Sequence, residues 1–152
     1  MKTNYLFSLF VIFCCLLCSC NRQLFYVPIE ISNNIPLIKV TMDNTEQWML
    51  LDTGSQISIL DSSQFRKTSI NNKCIVYTVS GKDSIYISDT LYRIKMESFI
   101  VDEKLFVKDI TELKSIIKNY TNKKIVGIIG SDILIKYDAK IDYEKRKLLL
   151  HK

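Results

Sequence analysis

Leu50-Leu51-Asp52-Thr53-Gly54-Ser55 puts a carboxylate, a hydroxyl and a glycine into a tight turn directly after an apolar strand. Gln47 to Leu51 reads as that strand, and Ile57-Ser58-Ile59-Leu60 reads as a short buried strand on the far side of the turn. Asp and Gly are ordinary turn formers, so the tripeptide alone implies no more than a bend. Its surroundings change that. An ionisable side chain between two apolar strands costs free energy to desolvate, and its presence there asks for a chemical reason.

A second stretch, Ile125-Val126-Gly127-Ile128-Ile129-Gly130-Ser131-Asp132-Ile133-Leu134, lies near the other end of the chain. Gly127 and Gly130 bracket Ile128 and Ile129, an apolar pair suited to a buried position. Ser131 is expected to cap a short helix opened by Asp132-Ile133-Leu134. An acid in the first helical turn is favoured by the helix dipole without any chemistry, so Asp132 is read as structural.

Strand, Asp-Thr-Gly-Ser, strand, hairpin, further strands, and then an apolar-apolar-glycine segment leading into a short helix: in this order, from about Ile35 to Leu150, the chain resembles the retropepsin-like aspartic proteases. The resemblance implies a mainly β fold, a closed acid-protease β-barrel of one lobe with one or two short helices. It implies an aspartic endopeptidase that takes a peptide or protein substrate and needs neither cofactor nor metal. Asp52 would be the catalytic carboxylate. Gly54 would let the backbone bend where a side chain would clash, Thr53 would turn its hydroxyl toward the matching loop of a partner, and Ser55 would donate a hydrogen bond to Asp52. Gly127, Ile128, Ile129 and Gly130 would support the site from below. Ser80, Gly81 and Lys82, in the turn Ser80-Gly81-Lys82-Asp83 between strand-like runs at Lys73 to Val79 and Ser84 to Ile87, would form the substrate-covering flap.

Such a mechanism needs two carboxylates at close range, which share one proton because both cannot ionise together. The chain contains one Asp-Thr-Gly, and its 152 residues make about one domain. A second aspartate must therefore come from a second chain, most simply across the two-fold axis of a homodimer.

The N-terminus predicts where the protein works. Met1-Lys2 and the apolar run from Tyr5 to Leu17 have the charged start and short hydrophobic region of a signal peptide, expected over residues 1–19. Leu17-Cys18-Ser19-Cys20 resembles a bacterial lipoprotein box, with Cys20 as the lipidated first residue of the mature chain. Residues 20–28 are then expected as a lipid-attached tether and 29–152 as the protease domain, held in the bacterial cell envelope and facing the periplasm or exterior. The apolar run is shorter than the roughly 20 residues a membrane-spanning helix needs.

Cysteine usage fits this scheme. Of five cysteines, Cys14, Cys15 and Cys18 would leave with the leader and Cys20 would carry lipid, so Cys74 would stand alone without a disulfide partner. The single histidine, His151, is too little for a histidine-based metal site or a Ser-His-Asp triad. The formal net charge of +5 is a mild excess, and the lysines are scattered instead of forming a stripe, which speaks against a nucleic-acid partner.

Along the remaining chain, Val27 to Ile31 and Pro36 to Met42 read as strands, and Asp43-Asn44 as the turn that returns Thr45 to Leu51. Thr90 to Met96 and Ser98 to Val101 read as strands, while Ile110, Leu113, Ile116 and Ile117 give Asp109 to Tyr120 a helical spacing. A last hairpin is expected around Glu144-Lys145-Arg146. The competing functional reading is a non-catalytic envelope lipoprotein that uses the same fold as a binding module. An intact Asp-Thr-Gly-Ser set argues against it.

Overall fold

The computed structural model describes residues 22–64, 70–78, 81–89 and 91–152. The expected signal peptide, Cys20 and Ser80 lie outside the described residues. Three strands, β1 (Leu24–Ser32), β2 (Ile35–Met42) and β3 (Thr45–Leu51), form an antiparallel meander that ends at the Asp52 turn. Its two connections are two-residue turns. Asn33 and Asn34 have φ of 48° and 64°, and Asp43 and Asn44 have 48° and 60°. Positive φ at both central residues matches the twist of a hairpin, and Asn and Asp tolerate that backbone better than other side chains.

Beyond the turn come β4 (Ile59–Asp61), a 3-10 turn (Ser62–Gln64), the hairpin β5 (Ile70–Thr78) and β6 (Gly81–Ser88), the hairpin β7 (Tyr92–Met96) and β8 (Phe99–Glu103), and β9 (Phe106–Lys108). Helix α1 (Thr111–Thr121) leads to β10 (Ile125–Ile129), the short helix α2 (Ser131–Lys136), β11 (Lys140–Asp142) and β12 (Lys147–His151). Neighbouring strands run in the order β11-β12-β1-β2-β3-β10-β4-β9-β6-β5, with the β7–β8 hairpin branching from β2.

The fold is mainly β, but the sheet is not closed into a barrel: its path ends at β11 and β5, and these do not pair with each other among the described residues. The cause lies in how two elements are used. β1 divides its hydrogen bonds, pairing with β12 over Leu24 to Pro28 and with β2 over Ile29 to Ser32. The β7–β8 hairpin touches β2 through a single register pair, Thr41 with Lys95, and so leaves the path as a branch instead of completing a ring.

β10 is the central strand. It runs parallel to β3, with Ile128 opposite Leu50 and Ile129 opposite Leu51, and antiparallel to β4, with Gly127 opposite Leu60. All five of its residues are buried, as expected for a strand covered on both faces. On one face the main core gathers Ile38, Met49, Ile129, Leu148 and Phe99, with the Phe99 ring edge-on to Phe25 at 5.1 Å and to Tyr137 at 4.9 Å. On the other face α1 packs Ile117 against Leu37, Ile110 and Ile125. Ile116, counted on the apolar face by its spacing, is 45 % exposed. The helix ends at Asn122, whose left-handed backbone (φ 57°) lets its N–H donate to the Lys118 carbonyl.

Two boundaries and one strand differ from the sequence expectation. The expected tether over 20–28 is ordered strand from Leu24 onward, because Val27 is buried and the β1–β12 ladder needs this segment. Of the expected flap turn at Ser80-Gly81-Lys82, Gly81 and Lys82 belong to β6, paired with Thr78 and Tyr77, and Ser80 lies outside the described residues. β9 was not anticipated, since three residues carry too little periodicity to mark a strand.

Gly127 shows how closely these strands approach. A Cβ there would lie 2.3 Å from the Ile59 carbonyl oxygen and 2.8 Å from Met49 Cε. A backbone carbonyl cannot swing aside as a side chain can. Gly127→Ala is therefore expected to destabilise the fold by about 3 kcal/mol, at the upper end of overpacking costs, read as a lowered urea midpoint. An unchanged midpoint would show that β4 and β10 part without cost.

Candidate active site

Asp52 sits where β3 ends. Its backbone N–H donates to the Ile129 carbonyl at 3.0 Å, which ties the start of the turn to the end of β10. Its carboxylate Oδ1 accepts the Gly54 N–H at 2.9 Å, and its carbonyl accepts the Ser55 N–H at 3.2 Å. The residue is half-buried, and Thr53 and Gly54 are exposed. Among the described residues Asp52 has no ion-pair partner, and its second carboxylate oxygen is not claimed by any of their cations.

Ser55 does not donate to Asp52, in contrast to the sequence expectation. Its hydroxyl donates to the Ile57 carbonyl at 2.8 Å, closing the loop on itself. The loop is then bolted to α2. The Ser131 N–H donates to the Ser55 carbonyl at 2.8 Å and the Asp132 N–H to the Gln56 carbonyl at 3.2 Å, so two N–H groups left free at the helix start find acceptors in the loop. The Ser131 hydroxyl donates to the Thr53 carbonyl at 2.9 Å. Ser131 is thus no cap: the N-cap position is held by Gly130, without a side-chain cap bond. Gly130 is there because of crowding, since a Cβ would lie 2.5 Å from the Ile57 carbonyl group.

Asp132 has a positioning role that its sequence context did not reveal. Its Oδ2 accepts the Ser58 N–H at 2.9 Å, and its Oδ1 accepts the Ser58 hydroxyl at 2.6 Å and the Ile133 N–H at 2.8 Å. Ser58 is fully buried, and its hydroxyl in turn accepts the Gly130 N–H at 2.8 Å. Both oxygens of Asp132 are engaged inside the fold, which leaves Asp52 as the carboxylate of this loop pair that faces outward. Ile129 is fully buried beneath the turn and Ile128 nearly so.

A third acid, Asp61, closes β4 and is fully buried. It pairs with Lys114 of α1, accepts the Ser63 hydroxyl, and accepts the Ile110 N–H at 3.4 Å. Burial pushes its carboxyl up, but the bonds from Lys114, Ser63 and Ile110 and the lysine charge together outweigh burial and hold it below the ordinary range. This cluster fastens α1 to the strand that follows the turn. No signal in the sequence paired Asp61 with a lysine 53 positions away.

Beside the turn, Thr53, Ser131, Leu134, Ile135, Asp138, Ala139 and Ile141 line an open depression of about 440 Å³. Ile135 is 78 % exposed on its rim. Among the described residues no group of three His, Cys, Asp or Glu side chains is placed to hold a metal ion, and no helix is long and apolar enough to cross a membrane.

The chain is similar to a protease. The solved structure in question is the EIAV protease complexed with the inhibitor HBY-793, at 24% sequence identity and a TM-score of 0.49, covering 71% of this chain and 92% of that one. No family model matches the chain, and no curated protein does.

The Asp61 cluster predicts how stability responds to acid. A carboxylate with a depressed folded-state pKa lends stability that is complete above its unfolded value, near 3.8, and is lost as pH falls through the folded value. Unfolding free energy should therefore drop as pH falls below about 3.8 and hold above it as far as this group is concerned. Asp61→Asn should cost about 3 kcal/mol at pH 7, by stripping a buried pair of one partner, and should flatten the acid limb of the curve. Chemical denaturation of both proteins from pH 2.5 to 7 checks this, and parallel acid limbs would assign the loss to other groups.

Proposed function

We propose that the protein is a retropepsin-like aspartic endopeptidase that works as a homodimer, anchored in the bacterial cell envelope through a lipidated Cys20. The observation that carries the catalytic part is the state of Asp52: a half-buried carboxylate with no cation partner among the described residues, held by the Gly54 N–H in a turn clamped between β10 and α2. Turns of that rigidity are what a reacting group needs if it is to be held in place at the moment of reaction.

One Asp52 is half a site. Across a two-fold axis beside Thr53, a second copy would bring its own Asp52 within hydrogen-bonding range and would cover Thr53 and the exposed Ile135. The facing pair then carries one proton. The ionised carboxylate takes a proton from a bound water as the water oxygen attacks the scissile carbonyl carbon, and the protonated one donates to the carbonyl oxygen. Collapse of the tetrahedral intermediate returns a proton to the leaving amine and restores the singly protonated pair. Both extremes of protonation are inactive, so the rate is bell-shaped in pH.

Peptide cleavage by wild-type and Asp52→Asn protein tests the assignment. The variant is expected to fold normally and lose at least about a thousandfold in kcat, and in excess it should suppress wild-type activity by forming defective mixed dimers. Activity proportional to wild-type concentration in such mixtures would refute the shared site. Cleavage that survives Asp52→Asn would remove Asp52 from the chemistry altogether.

The support for anchoring is the Leu17-Cys18-Ser19-Cys20 sequence after a short apolar run. Mass spectrometry of the mature N-terminus is expected to show acyl chains on Cys20, and Cys20→Ser should release the protein from membranes, since each buried methylene contributes about 0.8 kcal/mol. An unmodified Cys20, or a leader still attached, would count against it.

A further inference from the structure

The outward side of the sheet formed by β1, β12 and β11 combines exposed apolar groups with lysines. Cross-strand register sets Tyr26, Leu149 and Lys140 in one row and Pro28, Lys147 and Asp142 in the next, while the alternate residues Val27, Leu148 and Ile141 point the other way, toward the core. Tyr26 is 54 % exposed and Leu24 37 %. The Lys147 ammonium lies 5.7 Å from the Tyr26 ring centroid, and Lys140 and Lys147 are both exposed. The Asp142 carboxylate is engaged by Lys145 at 3.4 Å, and Lys140 and Lys147 have no ion-pair partner among the described residues.

This face begins four residues after Cys20. Four extended residues reach roughly 14 Å, well short of the roughly 35 Å width of a domain this size. With Cys20 acylated, as proposed above, the start of β1 cannot leave the headgroup region, and the face that flanks it is the one brought to the lipid. A tyrosine with its ring in apolar surroundings and its hydroxyl in water, ringed by lysines, suits that boundary. A second copy packed here across a two-fold axis would instead bring the same lysines to both sides of the contact.

We infer that Leu24, Tyr26 and Leu149, with Lys140 and Lys147 at their margin, form a docking face for an anionic bilayer surface. The inference rests on the lipid attachment at Cys20. It has a consequence for the proposed site. Ile141 lines the depression that holds Thr53, and it lies on the opposite side of β11 from Lys140, so docking through the lysine side leaves the Asp52 turn open to water.

The test uses the full chain, processed and purified from membranes, in a Cys74→Ser background with one nitroxide placed at Tyr26→Cys or, as control, at Ile75→Cys, a site 66 % exposed on β5. In vesicles of phosphatidylethanolamine and phosphatidylglycerol, the label at position 26 is expected to collide with oxygen and be shielded from an aqueous nickel complex, and the label at 75 to do the reverse. Lys140→Gln and Lys147→Gln should each lower the ratio of docked to free domain roughly fivefold. Mass spectrometry of the same samples separates the possible failures. Acylated Cys20 with a nickel-accessible label at 26 overturns the docking face and leaves the anchor standing. A label shielded from nickel and oxygen alike means that protein covers the face, which also overturns it. Unacylated Cys20 overturns the anchor and the docking face with it.

Discussion

The approach of β10 to the loop around Asp52 is the constraint on which the rest of the structure depends. Two strands leave the turn in different directions, β3 before it and β4 after it, and β10 inserts between them as a parallel neighbour of one and an antiparallel neighbour of the other. That insertion is possible only with backbones nearly in van der Waals contact, which is why glycine stands at 127 and 130. Once β10 is seated, its Ile129 carbonyl receives the Asp52 N–H, and the helix that follows is delivered to the loop with its free N–H groups pointing at the carbonyls of Ser55 and Gln56.

The three acids near this junction divide between structure and surface by environment. Asp132 spends both oxygens on Ser58 and its own helix start, and Asp61 is buried against Lys114, Ser63 and Ile110. Buried carboxylates are tolerable only when so paired and hydrogen-bonded. Asp52 is bound by one N–H of its own turn and remains half-buried. The two structural acids hold the elements on either side of it, so that the least encumbered of the three carboxylates sits on a loop tied to both β10 and α2.

The two ends of the folded chain meet in a second structural unit. Gln23 and Lys152 exchange backbone hydrogen bonds at 3.1 and 3.0 Å, and β1 joins the terminal hairpin to the strands that carry the turn. In the proposed orientation β1 would be a short mechanical link: one end would follow Cys20, acylated as proposed, and the other runs through β2 and β3 to Asp52. Lipid, sheet and proposed site would then occupy a fixed order along one continuous ladder.

The sequence by itself determined the local events. The Asp43-Asn44 turn, the strand before Asp52, the helix over Thr111–Thr121 and the closing hairpin were legible because each rests on periodicity or turn chemistry within about ten residues. The turn at Asp52 was legible for the same reason, as a short motif between apolar runs. Tertiary structure alone decided that the sheet stays open, that Leu24 to Pro28 is strand and not tether, and that Ser55 and Ser131 turn their hydroxyls to backbone carbonyls instead of to Asp52 and the helix start. It alone joined Asp132 to Ser58 and Asp61 to Lys114, across separations of 74 and 53 residues. Such pairings leave no local trace, because the partner of a buried polar group is chosen by which strands and helices happen to pack beside it.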